Sequence, residues 1–171
     1  MEILTYPDQR LKQLSESVDS IDKEILEFIS ELEQTRLAGP GAVGIAAPQV
    51  DMFKRVVIVD VSNMRKPVDN HGHMIMINPE ITEWDGMAMG REGCLSVPDF
   101  TGNVIRAEKI KLSYTDVAGK IIEIESAGFE ARAIQHEMDH LDGLLFLDRL
   151  VSRRSDLFKR KVVKKQSLLT S

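Results

Sequence analysis

One cysteine, Cys94, in 171 residues excludes an intramolecular disulfide framework and suits a reducing compartment. No apolar run is long enough to span a bilayer as a helix. The opening residues, MEILTYPDQR, place an acid at position 2 and contain no apolar h-region, which argues against a signal peptide. These absences point to a cytoplasmic chain. Neither an internal repeat, nor a low-complexity tract, nor a Pro/Ser-rich linker divides the sequence. What is present, 43% hydrophobic and 29% charged residues, fits one domain with a real core.

The net charge of −5 is unevenly spread: residues 149–171 hold eight Lys/Arg against one Asp, +7, which leaves −12 on the rest. A basic tail on an acidic body suits contact with a polyanion, or else a solvated terminal helix. Ile25, Phe28, Ile29 and Leu32 follow helical spacing, so residues 21–37 read as an amphipathic helix with Ser20 as N-cap and Gly39-Pro40 as its stop. The segments KRVVIVDV (54–61) and HMIMINP (73–79) read as strands, and KIKLSYT and KIIEIE flank the turn Asp116-Val117-Ala118-Gly119 as a hairpin. A second helix is predicted from about Phe129 to Leu141, ended by Gly143 and apolar on nearly all sides, at the centre of the domain. Elements in this order predict an α+β fold with antiparallel sheets around that helix and a further helix at the C-terminus.

The central helix carries AIQHEMDHLDG (133–143), which contains H-E-x-x-H. His136 and His140 are one turn apart on one face and can reach a single metal ion, with Glu137 placed to take a proton from a water held there. A catalytic site needs a third protein ligand. The extended pattern H-E-x-x-H-x-x-G-x-x-H breaks at Phe146, and no glutamate follows Glu137. The remaining candidates are His71 and His73 in the turn-like DNHGH, the lone Cys94 in REGCLSVP, or a downstream aspartate. A lone cysteine is otherwise most simply a small buried hydrophobe.

EGCLS (92–96), QHEMDHLDG (135–143) and GIAAPQ (44–49) together resemble the peptide deformylase family, in its motif order and over nearly the whole chain. The resemblance implies a metal held by Cys94, His136 and His140: Fe2+ in the cell, with Zn2+, Ni2+ or Co2+ able to substitute. It implies that the enzyme removes the formyl group from the formyl-methionine of nascent polypeptides, with Glu137 as the proton carrier. Gln49 and the Leu95 N–H would stabilise the oxyanion. Val43, Gly44, Ile45 and Gly93 would lie along an extended substrate, and Val43, Phe129 and Ala133 around its methionine side chain. Glu92 would pair with Arg106 and orient the cysteine segment. Residues 1–148 would form the catalytic domain, with 149–171 a basic tail that reaches the ribosome.

Two features stand apart from that pattern. The family loop usually reads G-x-G-x-A-A-x-Q, and Ala42 stands at its first glycine, with Gly41 one place earlier. A positive φ at position 42 would strain the alanine. Residues 39–44 also spell G-x-G-x-x-G, but they follow a helix and lead into a strand, the reverse of a dinucleotide fingerprint. A metal peptidase cutting internal amides, or a non-enzymatic ribosome-binding homologue, are the competing readings. The intact Gln49, Cys94, Glu137 and both histidines weigh against the latter.

Overall fold

The computed structural model describes residues 1–160. The run Val-Val-Ile-Val, strand β2 (Val56–Val59), is buried on both faces, which is why it reads as continuously apolar. It pairs with β1 (Gly44–Ala46) on one side and β3 (Met74–Asp85) on the other. The sheet continues through β6 (Lys109–Thr115) and β7 (Ile121–Ala127), in the order β1-β2-β3-β6-β7, with every pairing antiparallel. Val57 and Val59 pack with Met76, Ile134 and Leu141, and so against helix α2 (Gly128–Leu141). Val56 and Ile58 pack with Phe28, Ile29 and Leu32 of helix α1 (Lys23–Ala38). One helix thus covers each face of the sheet.

The helix expected over 21–37 starts slightly later than predicted. Its cap is Asp22, not Ser20: the Asp22 carboxylate accepts from Ile25 N at 2.9 Å. An N-cap oxygen satisfies a first-turn N–H two or three residues on, and Ser20 sits two residues too early for that. α2 matches its expected span to within one residue and ends before Gly143. That glycine is needed twice over: its φ is +75°, and a Cβ there would lie 2.3 Å from Lys12 O. The hairpin forms as expected, Thr115 opposite Ile121. No helix among the described residues is long and apolar enough to cross a membrane.

A second antiparallel sheet joins β4 (Ala88–Cys94), β5 (Val97–Arg106) and β8 (Leu157–Lys159), in that order. EGCLS is the tip of a tight hairpin: Cys94 pairs with Val97, and the register shifts just before it, at Gly93. The C-terminal helix is present as the single turn α3 (Arg153–Asp156). The helix expected at the C-terminus does not continue beyond it, because Leu157–Lys159 is extended against Phe100–Gly102. Pairing there occupies the backbone groups of a β5 edge that a helical tail would leave open. Lys161, Val162, Lys164 and Lys165 lie outside the described residues.

Candidate active site

α2 presents His136, Glu137 and His140 to the tip of the β4–β5 hairpin, and all are buried. Cys94 Sγ and one nitrogen from each histidine lie within 4.8 Å of one another. The thiol sulfur is 3.4 Å from His140 Nε2, close to the edge of about 3.5 Å that a thiolate and an imidazole share on one tetrahedral ion. Glu137 lies across from them, Oε2 4.0 Å from His136 Nε2 and Oε1 3.9 Å from His140 Nε2. Burial pushes the Glu137 carboxyl up to about 7. Burial also holds His140 well below its ordinary value, reinforced by His136 and Arg106, and a neutral imidazole is the ligating form. Burial opposes protonation of His136, but Glu137, Cys94 and Glu92 outweigh it and draw its pKa well above the ordinary value. The cluster attracts positive charge.

Glu92 stands behind the histidine. Its Oε1 is 2.8 Å from His136 Nδ1, and it accepts from Arg106 Nε at 2.9 Å, Arg106 Nη2 at 2.8 Å and Arg132 Nη1 at 2.8 Å. Burial alone would raise its pKa, yet the hydrogen bonds from Arg106 and His136 hold it well below the usual carboxylate range. An ionised carboxylate only accepts, so His136 Nδ1 carries a proton toward Glu92, which leaves Nε2 as the nitrogen that can face the centre. Arg106 also reaches Asp139, which takes two bonds from Arg149. The expected Glu92–Arg106 pair is one edge of a buried network spanning β4, β5 and α2.

Gln49 is oriented by its neighbours. Its Oε1 accepts from Ala46 N at 2.9 Å, so its amide nitrogen must face the other way, toward Ser96 Oγ at 3.0 Å and Cys94 Sγ at 3.5 Å. β1 and β4 are edge strands of their respective sheets, and a cavity of about 350 Å³ lies between them. Val43, Gly44, Gln49, Gly93, Leu95, Phe129 and Ala133 line it together with Cys94, His136 and Glu137. Ile45 does not: its side chain is buried in the α1 core, and only its backbone lies on the β1 edge. Gly44 packs so tightly that a Cβ would sit 2.7 Å from Glu137 Oε2. The left-handed conformation of this loop falls on Gly41, φ +66°, and Ala42 is not among the positive-φ residues. The alanine is unstrained.

Several lining residues had no signal in the sequence. Met64, Thr101 and Arg132 reach the cavity from segments that no motif marks, and Arg91, just before EGCLS, and Arg160, in the basic tail, join them without a signal for that role. Phe146, the residue that breaks the three-histidine pattern, is buried and stacks on His136 with ring centroids 6.3 Å apart. His71 and His73 are engaged elsewhere: His71 Nδ1 is 2.6 Å from Glu130, and His73 pairs with Glu33.

The donor set suits a divalent metal. Buried Glu137 Oε1 has no hydrogen-bond partner among the described residues and lies 3.9 Å from His140 Nε2, a nitrogen of the Cys/His/His set. A buried Cys/His/His set beside a carboxyl group, opening on a cleft between two sheet edges, defines a metal-dependent hydrolase of the H-E-x-x-H class. The family model described as polypeptide deformylase matches residues 1–156. The chain is 40% identical over 161 residues to the peptide deformylase of Thermodesulfovibrio yellowstonii, covering 94% of this chain and 95% of that one. It is 39% identical over 166 residues to that of Chromobacterium violaceum, covering 97% and 96%. Among solved structures it is similar to the Met-Ala-Ser-bound class I type b peptide deformylase of Acinetobacter baumannii, with TM-score 0.82, 38% identity, and 88% and 98% coverage. The chain belongs to the polypeptide deformylase family. It is an enzyme of protein biosynthesis that hydrolyses the N-formyl group of formylated nascent peptides, and the family is metal-dependent.

Proposed function

We propose that Cys94, His136 and His140 hold one divalent ion, and that Glu137, Gln49 and the Leu95 N–H carry out deformylation beside it, releasing formate. The gathering of three ligand atoms within 4.8 Å, next to buried Glu137, carries this reading. When bound, the ion supplies Lewis acidity, which polarises the formyl carbonyl, acidifies the attacking water and lowers the Glu137 pKa below the value burial sets. Glu137 takes the water's proton and returns it to the departing amine. Gln49, oriented by Ala46 N, donates its amide to the developing oxyanion together with the Leu95 N–H. Donors already in place need no reorganisation as charge develops.

The substrate adds as an extended strand to the β1 edge, along the backbone of Val43, Gly44 and Ile45, with Gly93 across the cleft. Its methionine side chain packs against Val43, Phe129 and Ala133, joined by Met64. Glu92 and Arg106 hold His136 in its ligating tautomer. The proposed ion in the cell is Fe2+, with Zn2+, Ni2+ or Co2+ able to substitute, since a thiolate and two imidazoles suit each of them. The compartment is cytoplasmic, and the basic tail meets the ribosome, where exposed Arg153 and Arg154 begin a run of cationic residues.

Anaerobic purification, metal analysis and a formate assay with formyl-Met-Ala-Ser test the site. The expected result is about one ion per chain, lost in Cys94→Ala and His140→Ala, with formate release lost in parallel. An ion retained equally by both variants and the parent would overturn the ligand set.

A further inference from the structure

One wall of the cleft is cationic, and two of its arginines lack a carboxylate partner among the described residues. Gly93, Thr101 and Phe158 form one row across β4, β5 and β8. Arg91 lies two residues from Gly93, and Arg160 two residues from Phe158, so both belong to the same face of the sheet as that row. The side-chain geometry agrees. The Arg91 guanidinium lies 3.8 Å over the Phe158 ring and donates to Thr101 Oγ1 at 3.4 Å and Asn103 Oδ1 at 3.3 Å. Arg160 reaches back over Gly93, where a Cβ would be 2.8 Å from its Nη2, and that nitrogen is 3.4 Å from Phe100 O and 3.5 Å from Val97 O. A glycine at 93 is what admits it.

The cleft's other arginine shows the contrast. Arg132 is tied to Glu92 and to the carbonyls of Val104 and Ala88. Among the described residues, Arg91 and Arg160 form no ion pair with a carboxylate, and only neutral oxygens and an aromatic face hold them. Both line the cavity and both are exposed. Two uncompensated positive charges thus sit on one wall of the cleft, on a body whose first 148 residues carry −12.

Arg91 sets which substrate residue is met, because Arg160 lies over Gly93, nearer the cluster, and adds its charge from there. Arg91 is three residues along β4 from Cys94, about 10 Å at strand rise. A peptide extended beside β4 with its formyl group at the cluster places its third residue at about that distance. We propose that Arg91 and Arg160 select formylated chains with an acidic third residue, which makes the C-terminal strand β8 a specificity element. This rests on the deformylase reading of the site and adds a substrate preference to it.

The test compares kcat/KM for formyl-Met-Ala-Glu and formyl-Met-Ala-Lys, with the metal-loaded full chain. The ratio of the two is independent of the fraction of active enzyme, so a poorly folding variant still reports. The parent should favour the glutamate peptide by roughly fivefold at low ionic strength, the size of two partly exposed ion pairs. The preference should shrink as salt rises. Arg160→Ala and Arg91→Ala should each reduce the ratio, Arg160→Glu should bring it to one or below, and Arg160→Lys should largely keep it. A parent ratio of one, or a ratio that none of these variants changes, overturns the proposal while leaving deformylation intact. Absence of formate from every peptide with metal-loaded parent would instead count against the deformylase reading beneath it.

Discussion

Glu92 Oε1 and His136 Nδ1 lie 2.8 Å apart, and this contact couples the β4–β5 hairpin to the helix that carries the metal-ligand motif. The carboxylate fixes the tautomer of a proposed ligand while neutralising two buried arginines. Glu92→Gln should therefore weaken both fold and site. Leaving Arg106 and Arg132 without their shared partner should cost about 3–5 kcal/mol, and metal affinity should fall roughly 10–100-fold. Thermal unfolding and chelator competition measure the two effects. A variant with parental melting temperature and metal retention would show the contact to be incidental.

The same carboxylate sets an acid limit. Its folded pKa lies well below the usual range, whereas in the unfolded chain it titrates near 4.3. Below the unfolded value the unfolded chain binds the extra proton, so stability falls with pH from there down through the folded value. Above about pH 5 this contribution should be constant. Urea unfolding of the parent and of Glu92→Gln should differ in pH slope only at the acid end, below about pH 5, where the parent's slope is the steeper.

Glu137→Gln should keep its metal but lose turnover, because an amide cannot take the proton. The expected drop in kcat is roughly 10²–10⁴-fold. Formate release by a metal-replete sample at near-parental rate would remove Glu137 from proton transfer.

Gly44→Ala should act through the same carboxylate. The added methyl would lie 2.7 Å from Glu137 Oε2 and 2.8 Å from its Cγ, so the carboxylate must shift to admit it. A misplacement of this size should lower kcat roughly 10²-fold. Metal content and circular dichroism should match the parent. If activity were parental as well, the cleft would be more yielding than this packing implies.

Iron-loaded enzyme should lose activity in air faster than nickel-loaded enzyme, because Fe2+ and the Cys94 thiolate are both oxidisable and nickel removes the easier route. Equal decay rates would point to the thiolate alone.

The tail needs two separate tests. Removing residues after Arg149 also removes β8, Phe158 and Arg160, so this truncation should impair peptide hydrolysis. Charge reversal at Lys161, Lys164 and Lys165 keeps β8, Phe158 and Arg160 in the chain. If the tail binds ribosomal phosphates, that variant should pellet less with ribosomes. Its log–log salt slope should flatten by about one unit or less for each phosphate no longer neutralised. Parental pelleting at low salt would leave the tail as a solubilising segment.

The sequence by itself determined which side chains α2 presents together. His136, Glu137 and His140 lie within one helical turn, so their shared face follows from α-helix geometry whatever the rest of the chain does. Helical periodicity placed α1, and the turn residues Asp116–Gly119 placed the β6–β7 hairpin, because both depend on local sequence. The Ser20 cap was wrong by two residues because several polar residues there could serve, and only the helix start decides between them. Tertiary structure alone decided the rest. Glu92 meets His136 across 44 positions, and Arg132 meets Glu92 across 40, by the docking of a hairpin on a helix. β1 and β4 face one cleft because each is an edge strand, a matter of sheet order that no strand's own residues encode. Leu157–Lys159 became a strand, where a helix was expected at the C-terminus, because β5 offered it unpaired backbone groups, and that pairing carries Arg160 into the cleft. Local spacing can be read from the chain; pairing partners arise only when distant segments satisfy each other's hydrogen bonds and charges.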